Sequence, residues 1–223
     1  MKLADYLPVY RLRLRTERLE LRLPDLDDLV ALADQAAAGI HDPDFMPFVV
    51  PWTECEPVER GRRTLQHQMG VIAGITPERW MLPLVVIHDG EIVGMQEVGA
   101  ADIKVTREAT TGSWLGRAHH GQGIGTEMRA AVLDFVFTGL GADFALSASF
   151  EGNGPSEGVS RKLGYRADGI DHKVLNGVRR QDNRWRLSRE DWEAHRKHEV
   201  AIEGLDAAAL AMLGLGEAEQ SER

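Results

Sequence analysis

The stretch Trp114-Leu115-Gly116-Arg-Ala-His-His120-Gly121-Gln122-Gly123-Ile124-Gly125-Thr126-Glu127 decides how the rest of the chain is read. It follows an apolar run, Ala109–Leu115, that reads as a strand, and it opens the clearest helix in the sequence. In that helix, Thr126–Leu140, the residues Met128, Ala131, Val132, Phe135 and Val136 fall at offsets 0, 3, 4, 7 and 8, a single apolar stripe. A glycine-rich turn between a strand and a helix aims free backbone N–H groups at one spot beside the positive helix end, a nest for phosphate or pyrophosphate. A tight connection that holds no ligand has the same glycine spacing, so the motif alone leaves both readings open. A P-loop would follow its last glycine with Lys-Ser/Thr, whereas Thr126-Glu127 stands here. A dinucleotide fingerprint would place G-x-G-x-x-G in an early βαβ unit, and this G-x-G-x-G lies in mid-chain.

Around this centre the elements fall into order. Upstream, Arg18–Leu23 alternates Leu with charge as a half-buried strand does. Pro24-Asp25 then opens a helix whose apolar residues Leu26, Leu29, Val30 and Ala33 sit at i, i+3, i+4 and i+7, ended by Gly39. The segment His41–Trp52 carries three prolines and fits no period. A helix from Pro57 runs past Leu65, Met69 and Ile72. Trp80–His88 and Glu91–Val98 flank Asp89-Gly90, a hairpin signal. Downstream come a strand at Asp143–Phe150, a short helix at Pro155–Leu163 stopped by Gly164, and two strands around Asn176-Gly177. Trp192 begins a charged helical stretch, and Val200–Ile202 with Leu205–Leu215 forms a small appendage. Strands in a row followed by strand–helix–strand–helix predict a mixed α/β sheet.

Composition narrows the function. Lys and Arg number 26 against 35 Asp and Glu, a net charge of −9, which argues against a nucleic-acid coat. The single cysteine, Cys55, excludes an internal disulfide framework and a multi-cysteine zinc site. Met1–Thr16 alternates Arg with Leu and reads as no signal peptide, and no apolar run reaches the ~18 residues of a membrane span. The expectation is a soluble cytoplasmic protein that binds neither nucleic acid nor membrane. No metal is expected, because His41-Asp42 has no third ligand at a recognisable spacing. The absence of Gly-x-Ser-x-Gly argues against a serine hydrolase.

Gly121-Gln122-Gly123-Ile124-Gly125-Thr126-Glu127 after a strand resembles the pyrophosphate loop of the GCN5-related N-acetyltransferases (GNAT). Asn153-Gly-Pro-Ser156, followed by Val159-Ser160-Arg-Lys162-Leu163-Gly164-Tyr165, resembles a second segment of that family. Thr16-Glu-Arg-Leu-Glu-Leu-Arg22 and Gly112-Ser-Trp-Leu115 are similar to its RimJ/RimL branch, and the likeness runs from about Leu14 to Leu187. His41–Trp52 and Gly112–Leu133 further resemble an actinobacterial subgroup in which succinyl-CoA is considered as donor beside acetyl-CoA. The resemblance implies a mixed, mostly antiparallel sheet with two splayed parallel strands at the CoA site. It implies an acyl-CoA-dependent N-acyltransferase domain over residues 1–190, with 191–223 a C-terminal helical extension. The activity implied is acyl transfer from coenzyme A to a primary amine of a small molecule or a protein, by direct attack. A CoA-binding sensor without turnover is the alternative from another class. A homo-oligomer is expected.

By the same resemblance the cofactor-binding residues are Trp114, Leu115, Gly116, His120, Gly121, Gln122, Gly123, Ile124, Gly125, Thr126, Asn153 and Ser160. His120 stands where the family usually has Gln or Arg, and Ser160 where many relatives have a tyrosine that protonates the leaving thiolate. Ser156 is a candidate donor to the departing sulfur or a helix N-cap, and Glu97 a candidate base or a solvated carboxylate. His172 with Asp171 is a further base candidate. His41, Phe45, Met46, Phe48, Trp52 and Ser113 form the expected acceptor pocket. A succinyl carboxylate buried unpaired is costly, and the cations in reach by sequence are Arg60, Arg62 and Arg63.

Overall fold

The computed structural model describes residues 1–216; residues 217–223 of the expected extension lie outside the described residues. In chain order come α1 (Leu3–Tyr6), β1 (Arg13–Arg15), β2 (Leu19–Arg22), α2 (Leu26–Ala38), α3 (Pro57–Ala73), β3 (Arg79–His88), β4 (Glu91–Ala101) and α4 (Ile103–Thr106). There follow β5 (Glu108–Leu115), α5 (Ile124–Asp134) with a π-helical turn at Phe135–Gly139, β6 (Phe144–Phe150) and α6 (Gly154–Lys162). The described chain closes with β7 (Arg166–Leu175), β8 (Val178–Ser188), α7 (Arg189–His195), β9 (Ala201–Glu203) and α8 (Ala207–Met212). The strands make one sheet in the order β7-β8-β6-β5-β4-β3-β2-β1-β9. Every neighbouring pair is antiparallel except β5 and β6. This is the expected α/β architecture: a mostly antiparallel sheet with one parallel pair, flanked by helices.

The parallel pair positions the site. β5 and β6 are joined only at Glu108–Phe144, Ala109–Ala145 and Thr110–Leu146, although they run on to Leu115 and Phe150. Past Thr110, β5 stays paired to β4, while β6 stays paired to β8 along its whole length. Each strand is therefore held by its own half of the sheet, and past Thr110 and Leu146 the two part in a wedge.

Side-chain alternation sends the two faces of the sheet into separate cores. Leu82, Leu84 and Val86 of β3 join the large cluster under α5, whereas Val85 joins a smaller one with Leu32, Ala36, Ile40, Ile92, Met95 and Trp114 under α2. Two helices depart from the expected faces. α2 buries Leu29, Leu32 and Ala36, leaving Leu26 and Val30 exposed. Its rotation is set at the N-terminus, where Asp25 caps the helix and the nearly buried Asp28 pairs with Arg22. α3 buries Gly61, Thr64 and Gln68 rather than Met69, so its inward face is polar. Gly61 lets α3 close on α2, since a Cβ there would stand 3.2 Å from the Ala33 carbonyl oxygen.

The segment expected as a helical extension contains a strand. β9 pairs with β1 at the sheet edge, and Ala209 and Leu213 lie in the large core. The Trp80 indole N–H donates to the Leu213 carbonyl at 3.0 Å. Among the described residues no helix is long and apolar enough to cross a membrane.

Candidate active site

The wedge opens into a cavity of about 1130 Å³ that spans the molecule from the α5 N-terminus to the His41–Trp52 segment. At the first end lies the glycine loop, between β5 and α5. Gly123 is the N-cap of α5 with φ +81°, a left-handed conformation that a β-branched residue resists. Gly121, Gly123, Gly125 and Thr126 line the cavity. The loop is braced from afar by the nearly buried Glu127, whose carboxylate accepts from the Thr16 hydroxyl at 2.6 Å and from Arg18 Nε at 2.8 Å. Burial works against the Glu127 charge, but the hydrogen bonds from Thr16 and Arg18 outweigh it and hold its pKa below the ordinary value. Arg18 Nη1 also donates to the Gln122 carbonyl.

Several expected cofactor contacts are placed elsewhere. Ile124 is fully buried in the core, and Gly116 and Gln122 do not line the cavity; the Gln122 amide donates to the Ala118 carbonyl. His120 is at the cavity, but its Nε2–H donates to the Leu115 carbonyl at 3.0 Å, so the ring fastens the loop to β5. Ser160 is buried and turned from the cavity toward Arg129, because it lies on the inward face of α6. Asn153 lines the cavity and caps α6, its Oδ1 accepting from the Ser156 N–H at 3.2 Å. The cap is thus Asn153, and Ser156 lines the cavity one turn in.

Beneath the wedge lies Arg129 of α5, 4% exposed, which has no sequence signal because a charged residue in an amphipathic helix reads as solvated. Its guanidinium donates to the hydroxyls of Ser113 at 3.0 Å and of Ser147 and Ser160 at 3.3 Å, and Nε has no partner. Among the described residues no carboxylate pairs with it, and burial lowers its pKa while the nearby Tyr165 opposes that shift. Taking an ion out of water without a counter-charge costs several kcal/mol. The arginines in reach by sequence are engaged: Arg60 donates to the carbonyls of Ala36, Ala37, Thr53 and Cys55, and Arg62 and Arg63 pair with Glu59.

At the far end Glu97 of β4 faces the cavity with its side chain 21% exposed. Burial raises its pKa, opposed in part by His67 of α3, whose Nε2 is 4.0 Å from Glu97 Oε1. A carboxylate whose pKa is raised by burial is a stronger proton acceptor than an ordinary one. Phe48, Trp52 and Trp114 form an aromatic wall with ring centroids 5.2 and 6.1 Å apart, and His41 packs edge-on against Phe48. The His41 ring is held at both nitrogens, Nδ1–H donating to the Asp42 carbonyl and Nε2 accepting from the Thr53 hydroxyl. Phe45 and Ser113 line the cavity; Met46 does not, its sulfur lying 3.7 Å from the Thr53 hydroxyl oxygen. His172 and Asp171 lie away from the cavity on the β7–β8 hairpin, engaged with Arg179 and Arg184. Thr64, His67 and Gln68 of α3 line the cavity and carry no signal in the apolar period.

Residues 18–166 match the model of the acetyltransferase (GNAT) domain. The fold is similar to that of RimJ from Mycobacterium smegmatis in complex with CoA-disulfide, at 22% identity over 86% of this chain and 98% of that one, TM-score 0.68. It is similar to a RimL ribosomal L7/L12 alpha-N-protein acetyltransferase in complex with coenzyme A, at 19% identity over 78% and 95%, TM-score 0.60. A GCN5-related N-acetyltransferase from Brucella melitensis aligns at 18% identity over 82% and 81%, TM-score 0.66. At these identities the likeness is one of fold, and it is the domain match over two thirds of the chain that carries the assignment: the chain belongs to the GNAT acetyltransferase family.

Proposed function

We propose that the protein is an N-acyltransferase that moves an acyl group from coenzyme A to a primary amine by direct attack, without a covalent enzyme intermediate. The observation that carries this reading is one continuous cavity with the glycine loop at one end, the parted strands in the middle and the desolvated Glu97 at the other. The cavity fits the donor in kind: backbone N–H groups at the α5 N-terminus suit a pyrophosphate, and the edge of β5 that β6 leaves past Thr110 suits an amide-bearing arm. Glu97 accepts the proton of the amine as its nitrogen lone pair attacks the thioester carbonyl carbon. A C–N bond forms, the C–S bond breaks, and its electron pair leaves on sulfur, where Ser156 supplies a hydrogen bond. The CoA-bound neighbours and the ribosomal-protein acceptor named for RimL support a CoA donor and an amine acceptor here.

Acetyl-CoA is the donor we assign first, in keeping with the domain model. Arg129 favours a second reading, succinyl-CoA, because a buried unpaired cation beside the parted strands would receive the free carboxylate of the acyl group. Thiol release over a panel of amines tests the enzyme, and CoA binding without release would instead indicate a sensor. Comparing kcat/KM for both donors tests the second reading. A tenfold preference for succinyl-CoA, about 1.4 kcal/mol, that Arg129→Met abolishes would establish it; an acetyl-CoA preference unchanged by that substitution would dismiss it.

A further inference from the structure

Four buried side-chain atoms have no hydrogen-bond partner among the described residues: Gln68 Oε1, Gln96 Oε1, Arg129 Nε and Asp134 Oδ1. Asp134 Oδ1 nevertheless has Arg196 Nε at 3.0 Å, and Gln96 does not line the cavity. That leaves Arg129, on the face of β5 opposite Trp114, and Gln68. Gln68 is 2% exposed, lines the cavity, and stands on α3 next to His67, the residue facing Glu97. A buried carbonyl without a donor costs about 1–3 kcal/mol. A leucine at the same place would avoid that cost, so the amide is explained if a ligand supplies the missing N–H.

We propose that Gln68 is an acceptor-binding residue: its Oε1 and the Glu97 carboxylate take the N–H groups of a primary amine carried on an apolar body that has no carboxylate of its own. The inference rests on the amine-acylation reading and names the class of acceptor. The apolar body is argued from the Phe48–Trp52–Trp114 wall, which lines the same cavity and whose Trp114 pairs with Met95, two residues from Glu97 on β4. The missing carboxylate is argued from charge. Among the described residues lining the cavity, Arg63 already pairs with Glu59, Arg129 lies on the hydroxyls of Ser113, Ser147 and Ser160, and a ligand carboxylate beside Glu97 would meet a like charge. A neutral primary amine brings two N–H groups, one for each oxygen acceptor, whereas a secondary amine brings one and leaves Gln68 unpaired.

The experiment uses the full chain saturated with CoA, with tryptophan fluorescence reporting binding at Trp52 and Trp114. The probes are phenethylamine and L-phenylalanine, which differ by the carboxylate. Phenethylamine is expected to bind at least tenfold more tightly. Gln68→Leu is expected to weaken it at least fivefold while CoA affinity is unchanged and Tm holds or rises. Gln68→Met must give the same loss, which keeps the test in hand should the leucine variant not fold. No binding of phenethylamine, equal binding of phenylalanine, or unchanged affinity in the variants would overturn the proposal. Thiol release is read separately: binding as expected without release would refute turnover while leaving the acceptor site standing.

Discussion

The two ends of the cavity are built from different materials. The donor end is made of backbone: Gly121, Gly123 and the first turn of α5, braced from behind by Thr16, Arg18 and Glu127. The acceptor end is made of side chains, with Glu97 on β4 facing His67 of α3, and with Gln68 and an aromatic wall lining the same cavity. A backbone nest survives exchange of its side chains but not a change of backbone conformation. A side-chain site has the opposite sensitivity. The contrast teaches where each end of the reaction can be altered, and it sets the order of the expected effects.

The largest effect is expected at the acceptor end. Glu97→Gln should lower kcat by about a hundredfold or more, the range of a lost general base, with CoA affinity unchanged by calorimetry. Because burial raises the Glu97 pKa, activity should fall with acid at a pH above the ~4.3 of an ordinary glutamate, and the variant should lose that limb. The sign for stability is opposite. A raised carboxyl pKa means that the folded state holds the proton more tightly, so stability falls as pH rises from the ordinary value through the raised one. Glu97→Gln should therefore leave Tm at neutral pH equal or higher. A loss of Tm with an unchanged pH profile would reduce Glu97 to a structural residue.

Next comes the backbone of the donor end. Gly123→Val should weaken CoA binding by ten- to a hundredfold, matching the ~1–3 kcal/mol cost of a strained φ, while circular dichroism shows the fold intact. Unchanged affinity would break the nest assignment. Between the two ends, Ser156→Ala should lower kcat about tenfold with little change in donor KM, as for one hydrogen bond to a developing charge. A change in Tm alone would leave it without a role in the transfer. The smallest effect is expected at a donor-end side chain. His120→Ala should change CoA affinity by less than about threefold, one neutral hydrogen bond to the Leu115 carbonyl. A larger loss would make the donor end a side-chain site after all.

The same contrast decided what the sequence disclosed. Backbone turns are written in glycine spacing, so the glycine loop that opens α5 was legible, as were the hairpins at Asp89-Gly90 and Asn176-Gly177 and the α5 stripe. Glu97 was legible through strand alternation, since it points to the same face as Met95 and Trp114. The acceptor face of α3 was not, because Gly61, Thr64 and Gln68 interrupt the apolar period that would have marked a buried helix face. The phase of α2 was misread because the Asp28–Arg22 pair, not the apolar count, turns that helix. Arg129 and the Thr16–Glu127 bridge depend on contacts between segments distant in sequence, for which local pattern has no signal. β9 was hidden for the same reason, as its partner β1 lies at the other end of the chain.

The central claim is that donor and acceptor meet in one cavity and react directly. The most direct measurement is initial-rate kinetics with acetyl-CoA and phenethylamine, joined to a search for acyl-enzyme after incubation with radiolabelled acetyl-CoA alone. The account predicts intersecting double-reciprocal lines, no label on the protein, and thiol release only once amine is added. Parallel lines with labelled protein would mean a covalent relay and would contradict it.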